Sequence, residues 1–198
     1  MDQVEDAKHP RAAIGGSRGT VWTIGHSTRS FEEFLALLAE HRIRLLDDVR
    51  HFPTSQRVPW TAKTSLAKAL SERGIANEHV EALGGFRKAR PDSVNLGWRN
   101  SGFRGYADHM ATAEFSAGLD RLIAIASERR TAIMCAEAVP WKCHRSLLSD
   151  ALLVRGLRVV HILSPGKAQD HRLAPFARVR GTRVTYPAAR KRLKARDR

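Results

Sequence analysis

The 198-residue sequence predicts a single α/β domain, built as a mostly parallel sheet of about five strands with helices on both faces. Three observations lead to that class. Short apolar runs alternate with stretches of helical period along most of the chain. Glycines stand where helices would close, and a hydrophobic share of 42% is enough for one well-formed core in a chain of this length. There is no internal repeat.

Residues 1–19 combine Gly15, Gly16, Ser17 and Gly19 with mixed charge and no period, so they read as a disordered or loosely packed tail ahead of a domain at 20–177. Residues 21–24 form a first buried strand that ends in Gly25-His26-Ser27. Ser30 followed by Glu33 makes a capping box for an amphipathic helix through about Glu40. Residues 43–47 give a second strand, and 64–73 a second helix closed by Gly74, a residue suited to the left-handed position after a helix. Residues 75–80 are a weaker third strand.

The polar stretch 81–104 runs for over twenty residues without a period, which predicts an ordered binding loop rather than a simple connector. Phe115, Leu119, Leu122, Ile123 and Ala126 then trace one face of a helix, and 132–135 is a strand. Leu147, Leu148, Ala151 and Leu152 mark a helix over 146–155, closed by Gly156, and 157–163 is the last strand.

The formal charge of +14 and a pI near 10.9 point to polyanions, but their distribution is uneven. Residues 178–198 hold nine Arg or Lys against the single acid Asp197 and so carry +8 of the total. This segment reads as a solvated basic tail able to contact nucleic acid without sequence preference. No run approaches the roughly 18 apolar residues of a membrane span, and residues 1–18 lack the basic-then-apolar order of a secretory signal, so the expected setting is cytoplasmic, away from membranes. Two cysteines in a reducing compartment serve more often as thiols, ligands or catalytic groups than as a structural bridge.

Both cysteines lie in Cys135-Ala-Glu-Ala-Val-Pro-Trp-Lys-Cys-His-Arg145, between a strand and a helix. A helix start presents unpaired N–H groups and the positive end of the macrodipole, which lower a thiol pKa and attract anions. In open parallel sheets ligands bind beyond the carboxyl ends of the strands. The chemically loaded pieces fall there: Gly25-His26-Ser27, Asp48-Val49-Arg50, His79 with Leu83-Gly84-Gly85, and Cys135-Ala-Glu137.

These blocks resemble a known family. Thr23-Ile-Gly-His-Ser27, Leu46-Asp-Asp-Val-Arg50 with Pro53 and Ser55, Leu83-Gly-Gly85, Gly102-Phe-Arg-Gly-Tyr106, Met134-Cys-Ala-Glu137 and Cys143-His-Arg145 are similar to the signature blocks of the bacterial and archaeal domain-of-unknown-function family 488, over about residues 21–162. The resemblance implies an α/β domain with a shared polar site and assigns no reaction. Rhodanese and cysteine-phosphatase architectures are a weaker parallel, because the loop after Cys135 lacks glycine and nine residues separate Cys135 from Arg145, where a phosphatase loop uses five.

The leading expectation is an enzyme acting on an anionic nucleotide-like or nucleic-acid substrate in a crevice at the strand ends. Glu137, His26, Asp48 and Cys135 are its candidate catalytic groups: a carboxylate with His26 suits hydrolytic or glycosidic acid–base chemistry, while a Cys135 nucleophile suits sulfur or acyl transfer. Arg50, Ser27, Arg104, Tyr106, Cys143, His144 and Arg145 are the candidate substrate contacts, with Arg50 able to clamp a phosphate or carboxylate. Glu137 near the thiol would favour its neutral form, and internal Asp48–Arg50 or Glu137–Arg145 ion pairs would simply hold loops. Trp60, Trp98 and Trp141 serve either as stacking faces or as packing anchors. No cofactor is expected: Cys135, Glu137, Cys143, His144 and His26 are metal-ligating types, but the short cysteine spacings of zinc sites are absent. Two rival classes stay open, a noncatalytic nucleic-acid-binding module and a thiol redox or metal-binding protein.

Overall fold

A computed structural model describes residues 19–54 and 56–189. The expected tail up to residue 18, Ser55 and the final basic stretch 190–198 lie outside the described residues. The chain runs β1 (Thr20–Gly25), α1 (Phe31–Glu40), β2 (Leu45–Asp48), α2 (Lys63–Ser71), β3 (Ala76–His79), α3 (Ser101–His109), α4 (Ala113–Glu128), β4 (Thr131–Cys135), α5 (Arg145–Val154), β5 (Arg158–Ser164), β6 (Lys167–Asp170), β7 (Arg178–Arg180) and β8 (Arg183–Thr185). Six strands form one sheet in the order β3-β2-β4-β1-β5-β6, the first five parallel and β6 antiparallel at the edge.

Strand alternation sends successive side chains to opposite faces, and two apolar clusters result. On one face Trp22, Ile24, Ala132 and Met134 meet Phe34, Leu38 and Leu66 of α1 and α2. On the other, Val21, Ile133 and Val159 meet Leu119 and Leu122 of α4 and Leu147 and Leu148 of α5. The α/β class with helices on both faces is thus the observed one.

Local signals act as expected at several boundaries. Ser30 Oγ accepts from the Glu33 amide at 3.1 Å and Glu33 Oε2 from the Ser30 amide at 2.8 Å, a full capping box contributing about 1 kcal/mol. Gly74 and Gly156 take φ of +68° and +87° just beyond α2 and α5, where a Cβ would be strained.

Three pieces differ from the sequence expectation. The sheet has a sixth strand, β6, because the chain after β5 turns back at Gly166 and pairs antiparallel along the edge. The end of the predicted loop 81–104 is already helix: Asn100 caps α3 by accepting from the Gly102 and Phe103 amides. Gly102 and Gly105 disguise that helix, yet Gly105 is required by packing, since a Cβ there would sit 2.1 Å from the Arg87 carbonyl oxygen.

The third difference is the basic segment, expected to leave the domain at 178. Residues 178–185 instead form the β7–β8 hairpin, and Val184 and Tyr186 are buried. The Tyr186 hydroxyl donates to Asp150 Oδ2 at 2.8 Å, its amide donates to Asn95 Oδ1, and its carbonyl accepts from the Gly97 amide. Arg178, Arg180 and Arg183 face solvent around these two anchors. The rest of 81–104 is ordered by buried Asp108, which accepts from the Arg90 amide, the Ser93 hydroxyl and the Asn95 amide group. Among the described residues no helix is long and apolar enough to cross a membrane.

Candidate functional site

The sheet places β2, β4 and β1 side by side, so three of the loaded strand ends are neighbours. Backbone bonds continue past the strands: the His26 amide donates to the Cys135 carbonyl, the Ser27 amide to Ala136 and the Val49 amide to Met134. Gly25 makes the crossing possible. A Cβ at Gly25 would lie 1.8 Å from the Glu137 carbonyl oxygen, so no other residue lets the 136–144 segment pass so close to β1. Beyond these ends opens a cavity of about 400 Å³ bordered by His26, Arg50, Tyr106, Cys135, Glu137, Cys143 and His144.

The two sulfurs meet in its wall. Cys135 and Cys143 are free thiols, both buried, with Sγ atoms 2.6 Å apart. His144 stands next to them with Nδ1 3.4 Å from the Cys143 sulfur, while its Nε2 lies 2.9 Å from the Val49 carbonyl oxygen. A carbonyl only accepts, so the His144 proton sits on Nε2 and Nδ1 faces the thiol as acceptor, or as donor once the ring is charged. Tyr106 packs its ring 5.0 Å from that imidazole and spends its hydroxyl on the Leu83 carbonyl. Gly85 lets the ring in: a Cβ there would come within 2.9 Å of His144 Nδ1.

These surroundings split the two thiols. Burial opposes ionisation of Cys143, but the hydrogen bond it receives from Cys135, that from His144 and the positive charges of His144 and Arg145 outweigh it and hold its thiol well below the usual cysteine range. For Cys135, burial and the proton it shares toward Cys143 push its thiol well above that range. The pair therefore gives up one proton readily and holds the second. Cys143 also lies two residues ahead of α5, where the helix start favours negative charge.

Arg145 is 1% exposed and spans the floor of this pair. Its Nε donates to Cys135 Sγ at 2.8 Å, Nη1 to Thr23 Oγ1 at 3.3 Å and Nη2 to the Glu137 carbonyl at 2.5 Å. The anticipated Glu137–Arg145 ion pair is thus a bond to the backbone, because the Glu137 carboxylate points into solvent while its carbonyl turns inward.

Arg50 and His26 flank the pair, just past the ends of β2 and β1 on either side of β4. Arg50 is clamped bidentately by Asp48, Nε to Oδ1 at 2.8 Å and Nη2 to Oδ2 at 2.5 Å, and Nη2 also donates to the Thr61 carbonyl. Its Nη1 is buried without a partner among the described residues. His26 donates Nδ1–H to the Ser27 carbonyl at 2.9 Å, which leaves Nε2 as an acceptor, likewise buried and unpartnered. Burial lowers the His26 pKa, only partly offset by that hydrogen bond, and the Arg50 charge lowers it further, so the ring is neutral near pH 7.

Of the residues singled out from sequence, seven border the cavity and four do not. Asp48 lies behind Arg50, Ser27 contributes backbone bonds to Ala136 and His26, Arg145 works from beneath, and Arg104 sits on α3 away from the lining. His79 donates Nε2–H to the Arg50 carbonyl and braces the β2 end. Trp60 packs with Phe31 and Phe34, and Trp98 with Phe103, Phe176 and Tyr186, so both are anchors; Trp141 is exposed. Sequence reasoning missed His51, Phe52, Phe86, Phe103 and Lys142, which complete the rim. His51 and Phe52 directly follow the Asp48-Val49-Arg50 block, and Phe86 follows Gly84-Gly85, so adjacency to those blocks was the available signal. No three or more His, Cys, Asp or Glu among the described residues are grouped to hold a metal ion.

The family model described as "Domain of unknown function DUF488" matches residues 30–152, well over half of the chain, and the chain belongs to that family. Neither the curated proteins nor the solved structures yield a match.

Proposed function

We propose that this member of the DUF488 family is an enzyme that uses the Cys143 thiolate as a nucleophile on a small anionic substrate, with Cys135 as its proton-sharing partner. The observation that carries the reading is the meeting, at one cavity, of two sulfurs 2.6 Å apart, His144 against that of Cys143, and an unpartnered buried guanidinium nitrogen of Arg50. A buried cation with a free N–H is costly unless a ligand supplies the missing acceptor, and a phosphate, sulfate or carboxylate does so. The nucleophile then attacks the group attached to that anion. A bond forms from Cys143 sulfur to the electrophilic atom, the bond to the leaving group breaks with its electron pair, and the leaving group takes the proton from Cys135 or from charged His144. A small nucleophile then attacks the transferred group and gives up its proton to the residue that supplied the first one, and the bond to Cys143 sulfur breaks with its electron pair restoring the thiolate.

The rim supports a substrate with a planar ring. Phe52 and Phe86 are 61% and 83% exposed, their ring centroids are 5.7 Å apart, and Phe86 holds a left-handed φ of +57° that a bulky residue rarely adopts. A nucleotide-like anion meets both requirements, ring and charge. Acid–base chemistry by carboxylates has less support, since both Asp48 oxygens are taken by Arg50 and the Glu137 carboxylate is exposed.

Alkylation by iodoacetamide at pH 6.5, read by mass spectrometry, tests the reading. Cys143 should label far faster than an ordinary thiol, and millimolar inorganic phosphate should slow it. Equal, slow labelling of both cysteines, untouched by phosphate, would count against the proposal.

A further inference from the structure

A continuous line of buried polar side chains runs from the cysteine pair through the core to the C-terminal segment. Arg145 Nη1 lies 3.3 Å from Thr23 Oγ1, which lies 2.8 Å from His161 Nδ1. His161 Nε2 lies 3.0 Å from His171 Nδ1, and His171 Nε2 2.8 Å from Asp150 Oδ1. Asp150 is held in turn by the Tyr186 hydroxyl on Oδ2 and the Ala174 amide on Oδ1. Thr23, His161, Asp150 and Tyr186 are all buried, and the His161–His171–Asp150 end borders a second cavity of about 270 Å³ that Trp98 and Trp141 also line.

The two ends are compatible with one arrangement of the protons between them. A guanidinium can only donate, so Thr23 Oγ1 accepts from Arg145 and can give its own hydrogen to His161 Nδ1. That places the His161 proton on Nε2, directed at His171 Nδ1. A carboxylate can only accept, so the His171 proton sits on Nε2 as well, directed at Asp150. The two assignments agree, and the line has a single polarity when each ring carries one proton. Burial holds His161 in that neutral form, pushing its pKa down to about 3, with the neighbouring His171 and Arg145 adding to the effect. A polar line of this length in the core is worth its desolvation only when every member is satisfied, as here, and a satisfied network fixes one geometry.

That geometry ends on the thiols. The same guanidinium that Thr23 holds through Nη1 presents Nε to Cys135 Sγ. We infer that Thr23, His161, His171 and Asp150 are positioning residues that lock the Arg145 guanidinium in plane and thereby set the ionisation of the cysteine pair. The inference rests on reading that pair as the reactive centre, and it extends the working machinery from the cavity along the α5-covered face of the sheet to the second cavity.

Thr23→Val keeps the shape and removes the hydroxyl, while Thr23→Ser keeps the hydroxyl. With thiolate ultraviolet absorbance followed against pH, Thr23→Val should raise the first midpoint of the pair by about half a unit or more, roughly threefold less thiolate at a given pH below it. Thr23→Ser should restore the wild-type curve, a rescue that loss of stability alone would not produce. An unshifted Thr23→Val curve beside a depressed wild-type midpoint would overturn the positioning role and leave the thiolate reading intact; a wild-type pair titrating like ordinary thiols would overturn both. Long-range proton–nitrogen NMR of the unmodified protein gives a second reading that needs no variant: both His161 and His171 should be Nε2–H tautomers, and an Nδ1–H tautomer at either would contradict the line.

Discussion

Cys135 and Cys143, eight positions apart, hold their sulfurs 2.6 Å from each other at the start of α5, roughly half an ångström beyond a disulfide bond. The contact divides the labour of the pair. Cys143, with His144 beside it, holds the negative charge, and Cys135, pinned by Arg145, keeps the proton.

Thiol–disulfide exchange should follow that division. Oxidised glutathione should convert the wild type to an internal Cys135–Cys143 disulfide, with release of reduced glutathione and loss of two hydrogens by mass. Cys135→Ala should stop at a stable mixed disulfide on Cys143. Cys143→Ala should react slowly, and a fast mixed disulfide on Cys135 in that variant would reverse the assignment.

Anion affinity should depend on Arg50. Removing Arg50 alone would strand the buried Asp48 carboxylate at a cost of about 3–5 kcal/mol, so the informative variant is Asp48→Asn with Arg50→Gln. It should remain folded and bind inorganic phosphate at least about tenfold more weakly by calorimetry, a loss of about 1.4 kcal/mol. A noncatalytic nucleic-acid module would respond differently: its affinity would fall steeply with salt and ignore this double variant.

Gly25→Ala should fail at the crossing of two loops rather than in the core. The new Cβ would overlap the Glu137 carbonyl and press on Arg145 Nη2, costing about 1–3 kcal/mol or more by denaturant unfolding. Loss of rapid Cys143 alkylation should accompany it, because Arg145 and the 136–144 segment shift together.

Asp47 should make stability fall with rising pH. It is fully buried on β2 with both carboxylate oxygens unpartnered among the described residues, and burial, with the Glu78 charge beside it, pushes its pKa from the ordinary 3.8 up to about 7. The folded state thus keeps a proton that the unfolded chain releases. The associated stability is fully present below about pH 4 and is lost as pH rises through about 7, by up to about 4 kcal/mol for a shift of this size. Asp47→Asn should flatten the pH profile of unfolding between those limits and stabilise the protein at pH 8.

The sequence carried the alternation of strands and helices, the Ser30–Glu33 capping box and the glycine stops, because each is a local signal. It also pointed to one crevice for His26, Arg50, Cys135 and His144, since chemically loaded blocks fall at the carboxyl ends of strands; the order that makes β1, β4 and β2 neighbours was not legible in it. What stayed hidden depends on contacts distant in sequence. The hairpin over 178–185 is fixed by Tyr186 reaching Asp150 and Asn95, and no charge count reveals that. Helix α3 is masked by Gly102 and Gly105, the latter demanded by Arg87. The division of roles between the cysteines rests on the contacts of Cys143 with Cys135 and His144 and of Cys135 with Arg145, which no local pattern displays.

The most direct test of the thiolate claim is a site-resolved titration: alkylation rates of Cys135 and Cys143 in the native protein, measured separately by peptide mass spectrometry from pH 4 to 10. Cys143 should reach half its maximal rate well below the ordinary thiol value of about 8.5, with Cys135 protected throughout. Two cysteines that alkylate together with ordinary midpoints, or Cys135 reacting first, would contradict it.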